Sequence, residues 1–211
     1  MTNASLDISG KFDAEVLEII ELLISVCAVQ NLIPFGAIEE PEGKISWPPN
    51  FDHVMSTVGF QDALNSAQVC RVRNDPPKEI RVVSIPGIAV LKLIAWADGY
   101  PSRSKDAIDF RFILENYSTG QFDRLFSDEE SLIDLVTSEH EMAVARLLGR
   151  DAGRTMNPAT RKVVLGILEA EQNTEGQLRL VGDMLVGSDQ GADFVLALIK
   201  HFRQGISDAS A

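Results

Sequence analysis

The chain has 211 residues, 45% hydrophobic and 24% charged, a balance that supports a packed core and excludes a chain disordered by composition. Nineteen Lys and Arg stand against 31 Asp and Glu, a formal charge of −12 spread evenly along the sequence, which disfavours non-specific binding to nucleic acid or anionic membrane. No apolar run approaches the roughly 20 residues that span a bilayer, and the polar opening MTNASLDISGKFDAE has no signal-peptide core, so a cytoplasmic location is expected.

Residues 13–29 predict a first helix, with Asp13 as N-cap and Val16, Ile20, Leu23 and Cys27 at helical spacing. Gln30 to Gly36 then reads as a short buried strand that ends at Pro34 and Gly36. Residues 37–51 read as loop around Trp47, and residues 52–58 as strand. Phe60–Ala67 predicts one or two helical turns. Gln68–Val72 and Glu79–Val83 predict two strands joined by the turn signal Asn74-Asp75-Pro76-Pro77. Both cysteines, Cys27 and Cys70, fall in apolar or strand-like stretches and are expected to be buried free thiols.

From Ser84 onward the pattern is helical. Pro86 and Gly87 open a helix to about Ala97 with little polar face, so it is expected to be central. Gly99 and Pro101 end it, and Ser104 is placed to cap the next helix, which runs to about Asn116. Ser138 and Glu141 form a capping box for a third helix, and Asn157-Pro158 starts a fourth. Two more apolar helical stretches follow near 177–186 and 191–203. A small mixed or antiparallel sheet followed by a mainly helical C-terminal half is an α+β chain.

Most chemical signatures are missing. His53, His140 and His201 are scattered and make no metal-binding spacing, and no P-loop or nucleophile elbow occurs. Arg71, Arg73, Lys78 and Arg81 form a basic cluster on the two predicted strands. It reads as a solvated strand face, or as an RNA or nucleotide contact. Phe194, Leu198 and Phe202 make a helical stripe that belongs to the core or to an oligomer contact.

One block carries a sharper pattern. Ile85-Pro86-Gly87-Ile88-Ala89-Val90-Leu91-Lys92-Leu93-Ile94-Ala95-Trp96 is followed by Ser104-Lys105-Asp106-Ala107-Ile108-Asp109-Phe110 and by Ile113-Leu114-Glu115-Asn116-Tyr117. Asp106 and Asp109 are three residues apart and share a helix face. Asp106 sits in the first turn, where the helix dipole favours a carboxylate. Lys92 and Lys105 are placed to meet phosphate, although a solvated charged helix end has the same pattern.

The block resembles the closing motif of nucleotidyltransferase-like proteins of the AbiEii toxin group, which place a Lys on one helix and Lys-Asp-x-x-Asp at the start of the next. Phe35-Gly36-Ala37-Ile38-Glu39, Trp47-Pro48-Pro49 and Ala145-Arg146-Leu147-Leu148-Gly149-Arg150-Asp151 extend the likeness, which runs from about Asp7 to Leu180. The resemblance implies a truncated nucleotidyltransferase-like α/β part over residues 1–83 and a helical part over 84–211. It implies Lys92, Lys105, Asp106 and Asp109 as catalytic residues if activity is retained, with Lys92 and Lys105 holding nucleotide. It implies a partner of the antitoxin kind or a homo-oligomer, and no membrane.

The sequence also departs from that group. Nucleotidyl transfer needs a divalent metal held by clustered carboxylates. The family supplies two of them as Asp-x-Asp after a Gly-Ser turn, and this chain has no such pair. Gly187-Ser188 is the one Gly-Ser, and it lies near the C-terminus. A strand–helix–strand unit expected between the first helix and Pro34 is absent, and the third carboxylate aligns with Asn31. The leading expectation is therefore a catalytically degenerate relative, a pseudoenzyme with no cofactor and no metal site. An active enzyme would use magnesium and an NTP on an RNA, of tRNA type, or on protein. A non-enzymatic interaction module is the third reading.

Overall fold

The computed structural model describes residues 33–47, 50–118, 123–127, 132, 139–171 and 178–209. The expected first helix, Cys27 and Asn31 lie outside the described residues. The chain divides into two compact units, Met1–Thr57 and Val58–Ala211.

In the first unit, β1 (Lys44–Trp47) pairs antiparallel with β2 (His53–Ser56), with Ile45 opposite Met55. Ile45 is the buried side chain of this hairpin. Ahead of it, the Glu39 carboxylate accepts from Gly36 N and Gly43 N, both at 2.8 Å. Those backbone hydrogen bonds, Gly36 foremost, hold the Glu39 carboxyl below its ordinary range. Two stretches differ from expectation. Ile33–Gly36 is not strand, because Pro34 has no N–H to offer a ladder and Gly36, at φ 87°, turns the chain. Residues 44–47, read as loop, are strand.

The second unit opens with α1 (Phe60–Asn65) and an antiparallel hairpin of β3 (Gln68–Asn74) and β4 (Pro77–Val82). Every residue of both strands is exposed. Cys70 is free as expected, but it is exposed rather than buried, like every other residue of the hairpin strands. Helices follow: α2 (Ile85–Gly99), α3 (Ser104–Asn116), α4 (Arg124–Ser127), α5 (His140–Thr155), α6 (Pro158–Ala170), α7 (Arg179–Met184) and α8 (Ala192–Asp208). Strands before residue 84 and helices after it make the α+β order that the sequence predicts. Among the described residues no helix is long and apolar enough to cross a membrane.

Local chemistry sets the helix starts. Ser84 Oγ accepts from Gly87 N at 3.3 Å, and Asn157 Oδ1 accepts from Ala159 N and Thr160 N at 2.8 and 2.9 Å. Each of these helices has Pro in its first turn. Ser104 does not cap α3. It is the first helical residue, after an Arg103 that makes no side-chain cap. Ser138 lies outside the described residues, and Glu139 at the start of α5 likewise makes no side-chain cap.

The core is built by these helices. Leu93 of α2, Phe110 and Leu114 of α3, Leu147 and Leu148 of α5, Leu168 of α6 and Phe202 of α8 are fully buried. Phe110 and Phe202 meet edge to face at 5.3 Å. Helices α5 and α8 touch backbone to backbone. A Cβ at Gly149 would stand 2.1 Å from Phe202 O, and one at Gly205 would stand 2.1 Å from Arg146 O. Only glycine fits at either contact.

Candidate functional site

Helices α2 and α3 are joined by the short turn 100–103 and pack against each other. This pairing brings Lys92, Lys105, Asp106 and Asp109 into one cluster. Lys92 Nζ donates to Asp106 Oδ1 and to Asp109 Oδ2, both at 2.8 Å. Lys105 Nζ reaches Asp109 Oδ1 and Oδ2 at 3.0 and 2.9 Å. Arg103 Nε donates to Asp106 Oδ2. Arg103 was missed in the sequence, although its i,i+3 spacing to Asp106 was the available signal.

The members differ in environment. The side chain of Asp106 is 7% exposed, whereas those of Lys92 and Asp109 are each 30% exposed. Lys105 points largely into solvent. Burial alone would lower the Lys92 pKa, but hydrogen bonds from its ammonium to Asp106 and Asp109 outweigh it and raise the value. The hydrogen bond from Lys92, then that from Lys105, holds the Asp109 carboxyl below its ordinary range. Three cations face two carboxylates, so the cluster carries one net positive charge.

A groove of about 390 Å³ opens beside it. Ile85, Ile88, Phe112 and Ile113 form its apolar wall, which runs from Lys92 and Asp109 to Asn116 and Tyr117. At the far end Tyr117 Oη donates to Asp151 Oδ2 at 2.5 Å, and Arg124 grips Asp151 with two bonds of 2.7 and 2.9 Å. Burial and then the hydrogen bond to Asp151 push the Tyr117 hydroxyl far above its ordinary range. The Arg124–Asp151 pair, 27 residues apart, had no signal in the sequence. A second cavity, of about 610 Å³, has Trp96, Tyr100, Glu171 and Arg179 among its walls. There Trp96 Nε1 donates to Asp183 at 2.8 Å, and the Glu171 carboxylate accepts from Leu180 N at 3.0 Å.

The described residues do not fit a magnesium site. Both oxygens of Asp106 and both of Asp109 already accept from ammonium or guanidinium groups. The two carboxylates also project from one helix, so they approach an ion from a single side. Among the described residues no group of three or more His, Cys, Asp or Glu stands close enough to hold a metal ion.

The family model described as Nucleotidyl transferase AbiEii toxin, Type IV TA system, matches residues 32–178, well over half of the chain. The chain belongs to the AbiEii family. No curated protein and no solved structure matches it. The AbiEii match covers the whole block from Ile85 to Tyr117, including the four clustered residues. It also covers Phe35–Glu39 and Ala145–Asp151, whereas the likeness read in residues 7–31 falls outside it.

Proposed function

We propose that this chain is a catalytically degenerate AbiEii-type protein whose Lys92–Asp106–Asp109 cluster acts as a charge lock between two helices. The observation that carries this reading is the pairing of every carboxylate oxygen in the cluster with a cation of the chain itself. A nucleotidyl-transfer centre needs such oxygens directed at a metal. To serve here, Asp106 would have to give up both Lys92 and Arg103 while remaining 5% exposed. The resemblance aligns Asn31 of the sequence with a family carboxylate, and an amide has one neutral carbonyl oxygen to offer.

The groove favours a retained binding role. Lys92 lies where an apolar wall meets a net positive cluster, which suits a nucleotide base against Ile88 and Phe112 and a phosphate beside Lys92 and Lys105. Such binding is weak, needs no metal and falls with salt. In the type IV toxin–antitoxin setting of the family, the remaining role is recognition of an antitoxin-like partner.

Calorimetry of the full chain with ATP, GTP, CTP and UTP, with and without magnesium, tests this reading. The expected result is weak binding that magnesium does not strengthen and that Lys92→Ala removes. Binding that appears only with magnesium, and is lost in Asp109→Ala, would contradict it.

A further inference from the structure

The β3–β4 hairpin of the second unit stands out from the charge and packing of the rest of the chain. Among the described residues its strands pair only with each other, and every residue on both strands is exposed. Val69 is 61% exposed and Ile80 44% exposed. An isolated two-stranded hairpin with uncovered apolar side chains is marginal in water, and its free edges are templates for another strand.

The two edges are not equivalent. β3 carries a register shift between Arg71 and Arg73, which leaves Val72 out of the ladder. A bulge of this kind twists an edge and blocks regular pairing. β4 is regular from Lys78 to Val82, and its one proline, Pro77, stands at the first position of the strand.

The order of charges along β4 selects an occupant. A second β4 laid antiparallel about a two-fold axis at Ile80 sets Ile80 against Ile80 of the second copy. It sets Glu79 against Arg81 of that copy, and by symmetry Arg81 against Glu79. Lys78 falls beside Val82. Directly opposed residues of opposite charge stabilise such a pair, and like charges destabilise it. No register that opposes Glu79 to itself has this complementarity. Within one copy Glu79 already pairs with Arg71 across the hairpin at 2.9 Å. In the joined sheet Glu79 is therefore flanked by Arg71 and by the second copy's Arg81 on one face. On the other face Cys70 and Ile80 of both copies form one apolar row, flanked by each Val82 with the other copy's Lys78 beside it.

We infer that β4 is a self-association edge, through which two copies of this chain build one four-stranded antiparallel sheet β3–β4–β4–β3 centred on Ile80. The partner is a second copy, chosen by the Glu79/Arg81 pair.

Sedimentation equilibrium of the full chain over a wide concentration range, combined with charge reversal, tests the inference. The wild type is expected to dimerise. Glu79→Arg and Arg81→Glu each place like charges opposite one another twice and are expected to weaken the dimer about tenfold or more. The double variant is expected to restore it. So is an equimolar mixture of the two single variants, in which one copy presents two arginines at these positions and the other two glutamates. Geometry gives an independent check in a Cys27→Ser/Cys70→Ser background. Ile80→Cys puts two thiols on the axis at the Cα spacing of about 4.5–5.5 Å of opposed residues, within disulfide reach. Val82→Cys faces Lys78 of the second copy and is expected not to cross-link with itself. A monomer at all concentrations, a dimer indifferent to Glu79→Arg, or an Ile80→Cys chain that does not cross-link would each overturn the inference.

Discussion

At the scale of single residues, exposure ranks the members of the Lys92 cluster. Asp106, with a 7% exposed side chain, accepts from Lys92 and Arg103. Asp106→Ala takes the buried carboxylate away from Lys92 and from the half-exposed Arg103 and is expected to cost about 2 kcal/mol. Asp109 is 30% exposed, and its loss leaves Lys92 still bound to Asp106. Asp109→Ala is therefore expected to cost less than about 1 kcal/mol. Urea denaturation of both variants and of their double mutant checks the order. Because the two carboxylates share Lys92, the double mutant is expected to depart from additivity. Equal costs for the two single variants would mean that Asp106 gains nothing from its burial. The closeness of Lys92 to Asp109 was legible in the sequence, since a short turn between helices leaves them packed neighbours. Arg124–Asp151 was not legible, because nothing local ties residues 27 positions apart on different helices.

At the scale of elements, the α5–α8 contact is set by absent side chains. Gly149→Ala and Gly205→Ala each place a methyl about one atomic radius from a backbone oxygen that cannot swing away. Each is expected to force the helices apart and to cost about 3 kcal/mol or more. Gly166, exposed in α6 with open space around its Cβ position, is the internal control. There Ala is expected to stabilise by about 0.5–1 kcal/mol through helix propensity and unfolded-chain entropy. Thermal melts of the three variants separate the two mechanisms.

The elements also show which sequence signals carry through to structure. Ser84 and Asn157 stand at the helix starts that the sequence predicts, and each caps its helix by accepting from backbone N–H groups of the first turn. Ser104 fails as a cap because Arg103 already holds Asp106 across the first turn, and the helix starts one residue earlier than the side chain pattern implies. The short strand expected over Gln30 to Gly36 fails in its described part, Ile33–Gly36, for a different reason. Apolar composition marks burial, and only a paired neighbour makes a strand. The exposure of the β3–β4 hairpin was equally hidden, since alternating Val and Arg describe a strand without saying what covers it.

At the scale of the whole molecule, acid stability follows from which carboxylates the fold has paired. Asp208 at the end of α8 accepts from Arg146 of α5 at 2.8 Å and from Arg150 at 3.0 Å. Burial works against its charge, but the hydrogen bonds from Arg146, Gln204 and Arg150 prevail and bring its pKa from 3.8 down to about 2. The folded value lies below the unfolded one, so this stabilisation is complete above about pH 4 and is lost as pH falls through about 2. It amounts to about 2 kcal/mol, with the 17% exposure of the side chain making that an upper figure. Asp208→Asn is expected to lower stability at about pH 6 and to flatten the fall between about pH 4 and about pH 2, as measured by urea midpoints. An unchanged pH profile would remove Asp208 from the account.

If the carboxylates of this AbiEii-family chain serve as internal counter-ions, the chain transfers no nucleotide. A transfer assay tests this most directly. Labelled NTPs are incubated with the full chain, with magnesium or manganese and a mixed tRNA acceptor, beside Asp106→Ala and Asp109→Ala variants. No label in RNA or protein is expected from the wild type, and the same is expected from Asn31→Asp, since on the proposed reading one added carboxylate does not assemble a metal site. Label transfer by the wild type that is abolished by Asp106→Ala or Asp109→Ala would contradict it.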